Sequence, residues 1–354
     1  MKKILSVCSA KLFLFFLFLS TQSFASDCLV TQGALDIGSG STKSVVAIVD
    51  TCQKKIHKVL FEENMAVPFS EAHETSADQK IPEAFVKAQL PRMKELSQKM
   101  RQHGAVSIHA LATSVFRRAK NGEDVMKKIS EAISGPVQMI SQEDEARLGY
   151  WSALAQRPPR QGEQVVVWDI GGGSMQMITQ PKAAETGLTI YQGELAAVNF
   201  KNRVINELQK KDAKTQNSPN PLGAQWTDAV KLSETYASAH VPSEFQKLSR
   251  QVTWIGIGGV LYNSVREQTK VKNTYQVKDL QKALKKRAKL NDQQLGGDYA
   301  ATDVTNLALV AGFMQALKIK KVETVKASLA QGWLLFQLDE QDDKQSNENT
   351  EKKN

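Results

Sequence analysis

Two stretches of the chain share one arrangement of apolar and glycine positions. The apolar run 165–170 leads into the sequence D-I-G-G-G-S at 169–174, and an alternating apolar segment follows at 175–178. Earlier, residues 34–37 lead into D-I-G-S-G-S at 36–41, and an apolar segment follows at 45–49. Short apolar runs bounded by glycine predict buried strands. The pattern therefore predicts two units, each made of a strand, a glycine turn and a second strand.

Both units carry residues suited to phosphate. Glycines let the backbone turn tightly and bring bare N–H groups against phosphate oxygens. An aspartate at the end of the strand, Asp36 or Asp169, is placed to hold a hydrated divalent cation. Two such turns facing each other across a cleft would clamp a phosphorylated ligand from both sides. The alternative is a pair of ordinary glycine hairpins.

In the rest of the chain, segments with an apolar pattern typical of strands alternate with segments typical of helices. This alternation predicts an α/β fold. Pro91 falls inside one predicted helix and is expected to kink or split it. Residues 252–260 end in glycines and form a third candidate backbone cradle. Further strands are predicted at 56–61, 107–112, 137–141, 188–193 and 322–328, and helices at 84–103, 123–134, 143–154, 197–210, 227–239, 277–290, 302–317 and 331–338.

Both ends of the chain differ from its middle. Lys2 and Lys3 precede the apolar run 12–19, and the sequence S-F-A at 23–25 has the small-x-small pattern of a signal-peptide cleavage site. We expect residues 1–25 to be removed on export, giving a periplasmic protein without a membrane anchor. An uncleaved anchor is the alternative, although the run is short for a spanning helix. The rest predicts two domains at 26–155 and 156–338, followed by a disordered polar tail at 339–354.

Charge and cysteine content refine this description. The formal net charge of +9 falls to +6 once the three lysines of the signal peptide are removed, and no basic block interleaved with aromatics indicates a nucleic-acid surface. If the first hairpin is centred on Gly40, residues whose numbers sum to 80 lie opposite each other. Cys28 and Cys52 satisfy that condition, and we expect a disulfide between them in an oxidising compartment. Two free thiols are the alternative.

The predicted helix 143–154 begins with three carboxylates. Glu143 and Asp144 suit the positive end of the helix dipole and need no further explanation. Glu145 lies deeper in a helix that leads towards the central glycine turn. It is therefore the carboxylate that we expect to point into the cleft.

Four motifs in order resemble those of the exopolyphosphatase / guanosine pentaphosphate phosphatase (Ppx/GppA) family. The D-x-G-S-N-S turn of the family corresponds to 36–41, its A-T-x-x-x-R-x-A-x-N signature to 112–121 and its I-S-G-x-E-E-A-R-L to 140–148. Its D-I-G-G-G-S-T corresponds to 169–174, followed here by Met175. The resemblance covers nearly all of the mature chain. It implies the actin–sugar kinase–Hsp70 superfamily, with two actin-like (ribonuclease H-like) domains and a phosphate-binding cleft between them.

The resemblance also implies roles for individual residues. Glu145 would be the general base that activates water against a terminal phosphoryl group. Arg117 would contact phosphate through two N–H groups. Asp169, together with Asp36, would hold Mg²⁺ or another divalent cation. The phosphate contacts would come from the backbone and hydroxyl groups of the two turns, which are Gly38, Ser39, Gly40, Ser41, Gly171, Gly172, Gly173 and Ser174.

Three departures from the family pattern accompany these matches. Gly40 stands where the family has asparagine, Gln142 replaces a glycine, and Ala330 and Gln331 replace the arginine and glutamate of an L-R-E-G sequence. The favoured function is an exported phosphohydrolase that releases orthophosphate from the end of inorganic polyphosphate. The alternatives are hydrolysis of another phosphoanhydride, such as a guanosine pentaphosphate-type nucleotide, and a non-catalytic polyphosphate-binding protein. Family resemblance also makes a homodimer possible.

Overall fold

The structure, a computed structural model, describes residues 28–181, 187–248 and 252–336. The predicted signal peptide and the predicted polar tail lie outside these residues. No helix within the described ranges combines the length and the apolar character that crossing a bilayer requires.

The first half of the chain forms a five-stranded sheet with helices around it. The strand order is β3-β2-β1-β4-β5, in which β1 pairs antiparallel with β2 and parallel with β4. The strands are β1 (Leu29–Ile37), β2 (Ser41–Asp50), β3 (Lys55–Ala66), β4 (Ser107–Ala112) and β5 (Val137–Met139), and the helices are α1 (Phe69–Glu74), α2 (Glu83–Gln102), α3 (Ser114–Arg118), α4 (Gly122–Ile133) and α5 (Gln142–Gln156).

The second half repeats this plan around a six-stranded sheet. Its order is β10-β11-β9-β6-β7-β8, in which β6 pairs antiparallel with β7 and parallel with β9. Two π-helical segments, Val204–Leu208 and Gly259–Val265, extend α6 and precede α9. The strands are β6 (Val165–Ile170), β7 (Met175–Thr179), β8 (Thr189–Gly193), β9 (Thr253–Ile257), β10 (Thr274–Gln276) and β11 (Lys321–Thr324), and the helices are α6 (Ala197–Arg203), α7 (Trp226–His240), α8 (Ser243–Gln246), α9 (Arg266–Thr269), α10 (Val277–Arg287), α11 (Asp292–Leu295), α12 (Ala300–Ala316) and α13 (Leu329–Phe336).

Most predicted elements are present, with shifted bounds. The strand predicted at 137–141 ends at Met139, because Ser141 is the N-cap of α5 and forms a capping box with Asp144. Helix α2 runs unbroken through Pro91. The strand predicted at 56–61 is longer than expected, and the short helices α1, α3, α8, α9 and α11 were not predicted.

The register of the first hairpin corrects the prediction by one residue. Leu29 lies opposite Asp50 and Ile37 opposite Thr42, so paired numbers sum to 79 and not to 80. The cause is a two-residue turn tip, since the Gly38 N–H donates to the carbonyl of Ser41. The predicted disulfide between Cys28 and Cys52 is nevertheless confirmed, with Cα atoms 5.6 Å apart, because these residues lie diagonally at the open end of the hairpin.

Two helices join the halves by packing side by side. Helix α5 lies on the second sheet, where Ala146, Tyr150 and Ala153 contact apolar residues of β6, β7 and β9. Helix α13 lies on the first sheet, where Trp333 is part of the apolar cluster. The helices meet at Gly332, where an added Cβ would lie 2.4 Å from the carbonyl oxygen of Leu148. Helix α5, which carries Glu145, is thereby held between the two sheets.

Candidate active site

The two glycine turns meet at their tips. A Cβ placed on Gly172 would lie 3.1 Å from both the backbone nitrogen of Gly40 and the Cβ of Ser39. One placed on Gly173 would lie 2.9 Å from the Ser39 hydroxyl. The close approach leaves little room for a side chain at Gly172 or Gly173, and the predicted opposition of the two turns is present in the structure.

The turns leave polar groups available to a ligand. Each turn closes on itself, through Gly38 N–H to the Ser41 carbonyl and Gly171 N–H to the Ser174 carbonyl, both at 2.9 Å. The N–H groups at the two tips have no acceptor within the described chain. The Ser39 hydroxyl is buried, with 4% of the residue exposed, and also lacks a partner there. Buried polar groups are seldom left unpaired, so this junction is suited to an anion such as phosphate.

A cleft of about 730 Å³ opens from this junction. Both turns line it, as do Asp36, Asp169 and Glu145. Its far end lies between the π-helical segment Gly259–Val265, α9 and the start of α12. The charged residues lining the cleft are Asp36, Lys43, Glu71, Arg92, Glu145, Asp169, Glu267, Arg287, Asp298 and Asp303.

Glu145 is buried at the wall of this cleft and is bound by three side chains. Its Oε1 accepts from Arg117 Nη1 at 2.6 Å. Its Oε2 accepts from Gln176 Nε2 at 2.8 Å and from the Ser174 hydroxyl at 3.3 Å. These contacts come from α3, from the second glycine turn and from β7, so both halves of the molecule orient the carboxylate.

Burial dominates the acidity of Glu145. Because only 5% of the residue is exposed, desolvation raises its pKa from 4.5 to about 7, although Arg117 opposes the shift. The charges of Asp36 and Asp169 add to the increase. A carboxylate that titrates near neutral pH is well matched to accepting a proton from water.

Asp36 and Asp169 end the equivalent strands β1 and β6 and reach the cleft on either side of the junction. Burial raises the pKa of Asp169 to about 6, with Lys43 opposing and Asp36 adding to the shift. Lys43 Nζ lies 3.2 Å from Asp36 Oδ2. Burial alone would lower the pKa of Lys43, but the two aspartates outweigh it and raise that pKa.

The donor set fits a small divalent cation. Mg²⁺ is commonly held by one or two carboxylates together with substrate phosphates, and Asp36 and Asp169 supply two carboxylates beside the phosphate-binding turns. Gly258 has a φ of +80°, and an added Cβ there would lie 2.0 Å from Asp169 Oδ1. Gly258 belongs to the third glycine segment, predicted at 252–260. Because it has no side chain, it leaves the space that the Asp169 carboxylate occupies. No other strand-end aspartates line the described cleft.

The side chains of Arg117 and Ser174 are engaged by other protein groups in this structure. Arg117 uses Nη1 for both Glu145 and the carbonyl oxygen of Ile140, and it does not line the cleft. The Ser174 hydroxyl is directed to Glu145. Their roles as phosphate contacts stay predictions, whereas their contacts with the base are present in the structure.

Sequence reasoning missed three polar residues near the junction. Gln176 and Lys43 are polar positions in the apolar strands β7 and β2, and such an interruption directly after a glycine turn was an available signal. Arg118 lies close to Gly173, with Nη2 3.0 Å from the position of an added Cβ, and it donates to Glu74 Oε1 at 2.6 Å and to the Ser70 hydroxyl at 3.2 Å. Nothing in its local sequence distinguishes Arg118 from the neighbouring Arg117.

The departures from the family motifs have clear local consequences. Gly40 has an ordinary negative φ, and an added Cβ there would meet nothing within 4 Å. Gln142 donates to the carbonyl oxygens of Met175 and Gly193, at 3.2 and 3.1 Å, which ties α5 to β7 and β8. Gln331 donates to Glu62 Oε1 at 2.9 Å and so anchors α13 to β3.

Comparison with known proteins agrees with this architecture. A model of the Ppx/GppA phosphatase family matches residues 44–341. The chain belongs to this family. Among solved structures, the PPX-GPPA enzyme of Aquifex aeolicus is 17% identical over 87% of this chain and 99% of that chain, with a TM-score of 0.65. An exopolyphosphatase of Cytophaga hutchinsonii is 18% identical over 87% of this chain and 97% of that chain, with a TM-score of 0.67.

At such low identity these structures show the fold alone. The two-sheet α/β architecture of this Ppx/GppA member matches theirs, so the predicted pair of actin-like domains is confirmed. The predicted boundary at residue 155 stays a prediction. It falls at the end of α5, the helix that packs on the second sheet.

Proposed function

We propose that this Ppx/GppA member is an exported phosphohydrolase that releases terminal orthophosphate from inorganic polyphosphate. The observation that carries the proposal is the position of Glu145, a base that titrates near neutrality in the wall of the cleft that opens from two facing glycine turns. Family membership supports phosphatase chemistry. Export to the periplasm rests on the signal-peptide pattern at residues 1–25.

In the proposed reaction, water attacks the terminal phosphorus and transfers a proton to Glu145. The bond between that phosphorus and the bridging oxygen breaks, and the shortened chain leaves with the bonding electron pair. The tip N–H groups and the Ser39 hydroxyl stabilise charge on the phosphoryl oxygens. Asp36 and Asp169 would hold a divalent cation, which when bound neutralises charge on the transferring group. Lys43 balances the negative charge of the two aspartates.

Hydrolysis of a nucleotide-type phosphoanhydride is the second candidate. The cleft extends well beyond the glycine turns, and its far end carries Glu267, Asp298 and Asp303 against Arg287. Such a surface suits an uncharged polar group better than a further run of phosphates. A substrate with a phosphorylated end and a neutral polar remainder would use both regions.

Phosphate release by the mature protein with Mg²⁺ tests the proposal. The substrates are tripolyphosphate, long-chain polyphosphate and a guanosine 5′-phosphoanhydride, each assayed with wild type and Glu145→Ala. Release by the wild type alone supports hydrolysis with Glu145 as base, and the preferred substrate decides between the candidates. Binding of polyphosphate without release by either protein would favour the non-catalytic alternative. Equal turnover by the variant would show that Glu145 is not the base.

A further inference from the structure

Gln176 occupies a position for which neither the motifs nor the proposed reaction gives a role. It is the second residue of β7, lies opposite Asp169 in the ladder, and has only 3% of its surface exposed. Its Nε2 donates to Glu145 Oε2 at 2.8 Å and to the Ser174 hydroxyl at 3.2 Å. The Ser174 hydroxyl in turn donates to Glu145 Oε2. A glutamine amide has two N–H donors, and this arrangement uses both of them.

The hydrogen bonds on Glu145 distinguish its two oxygens. An ionised carboxylate offers about four lone-pair positions, two on each oxygen. Gln176 and Ser174 together fill Oε2, whereas Oε1 accepts only from Arg117 within the described chain. Oε1 is therefore the oxygen that retains a lone pair for a proton from water.

We propose that Gln176 is a positioning residue that fixes the Glu145 carboxylate with Oε1 available to the attacking water and favours its ionised form. This inference rests on the proposed hydrolysis with Glu145 as base. The amide acts by donating to Oε2, which locks rotation of the carboxylate together with Ser174. An N–H donated to the charged form also favours ionisation.

Few groups around Glu145 can favour its ionised form. The charged side chains that act on it are Arg117 from α3, Asp36 from β1 and Asp169 from β6. Both aspartates oppose its ionisation, and Arg117 favours it. On the β7 side the donors are the neutral groups of Gln176 and Ser174. Replacing Gln176 by a carboxylate would remove a donor and add a third opposing charge.

Two substitutions test the proposal. Gln176→Glu has nearly the same shape, and Gln176→Leu removes the donor without adding charge. We expect the acidic limb of the kcat/KM–pH profile, near pH 7 in the wild type, to move upward by about one unit or more in Gln176→Glu, and by less in Gln176→Leu. In Gln176→Leu, kcat on the high-pH plateau should fall roughly tenfold or more, with little change in KM, because orientation of the base matters after binding.

Gln142→Leu is the matched control. Gln142 is also a glutamine between α5 and the second sheet, but its amide donates to Met175 and Gly193 and not to Glu145. We expect Gln142→Leu to lower the melting temperature without moving the acidic limb. If Gln142→Leu moves the limb as far as Gln176→Leu, the effect is general loosening of α5 and the proposal is wrong. It is also wrong if neither Gln176 variant differs from wild type.

A second measurement works without turnover. The side-chain carboxyl carbons of glutamate are labelled for NMR, and the Glu145 resonance is identified by its loss in Glu145→Gln. Its titration midpoint should be higher in Gln176→Leu than in wild type and unchanged in Gln142→Leu. If no phosphoanhydride is hydrolysed, the proposed function fails, and this titration still decides whether Gln176 favours ionisation of Glu145. An unchanged midpoint in folded Gln176→Leu would refute that influence.

Discussion

Replacing Glu145 by glutamine should change how the stability of the protein depends on pH. Burial raises the pKa of Glu145 from 4.5 to about 7 in the folded state. Between these values the unfolded chain releases the proton while the folded chain retains it. The stability that the protonated form contributes is therefore complete below about pH 4.5 and is lost as the pH rises to about 7. Glutamine does not titrate, so the variant lacks this loss.

The magnitude follows from the size of the shift. A displacement of about 2.5 units corresponds to about 3 kcal/mol of unfolding free energy at 1.36 kcal/mol per unit. The stability of Glu145→Gln relative to wild type should thus rise by about 3 kcal/mol between about pH 4 and pH 8. A constant offset is also expected, because the glutamine N–H₂ group would lie against a donor of Arg117 or of Gln176, but such an offset does not vary with pH.

Urea unfolding followed by tryptophan fluorescence across this pH range measures the difference. Glu143→Gln is the control, since Glu143 lies on the same helix turn and makes an exposed ion pair with Arg147. Its stability relative to wild type should vary by less than about 1 kcal/mol. If the Glu145→Gln difference is equally flat, Glu145 is not a buried carboxyl with a raised pKa, and the assignment of the base loses its physical support.

Three other variants test further parts of the site and fold. Gly258→Ala should lower kcat/KM roughly 100-fold, because the added Cβ displaces the Asp169 carboxylate. A kcat/KM near that of wild type would contradict the assigned role of Asp169. Gly40→Asn should change the unfolding free energy by less than about 1 kcal/mol, because the position is open. It should also lower the KM for polyphosphate, because the position faces the cleft, whereas a raised KM would show that the side chain obstructs the ligand. The double variant Cys28→Ser/Cys52→Ser should lose about 3 kcal/mol of stability, because the disulfide closes a loop with a sequence separation of 24. An unchanged urea midpoint would show that the disulfide does not constrain the unfolded chain.

Local patterns predicted the features that depend on neighbouring residues. The repeated D-I-G sequence predicted two equivalent strand–turn–strand units, because glycine content and apolar runs act over a few residues. The position of Glu145, deeper than Glu143 and Asp144 in a helix that leads towards the central glycine turn, predicted that it would reach the cleft. Both expectations are met, since the two turns face each other and Glu145 lines the cleft.

Features that depend on the exact geometry of a turn or on distant contacts could not be predicted from the sequence. The hairpin register shifted by one residue because the hydrogen bond between Gly38 and Ser41 selects a two-residue tip, which composition alone does not specify. The contact of Arg117 with Glu145 joins residues that are 28 positions apart. Gln176 was missed for the same reason, since its partner lies 31 positions earlier in the chain. The contact of Gln176 with Glu145 forms only when the two halves come together.

The most direct test of the account is hydrolysis of tripolyphosphate in water enriched in heavy oxygen. The account predicts that each orthophosphate released in the first turnover carries one solvent oxygen, and that the pyrophosphate product carries none, because water attacks the terminal phosphorus. Glu145→Gln should release neither labelled nor unlabelled phosphate at a comparable rate. Solvent oxygen in pyrophosphate, or labelled phosphate released equally fast by the variant, would contradict terminal attack by water activated at Glu145.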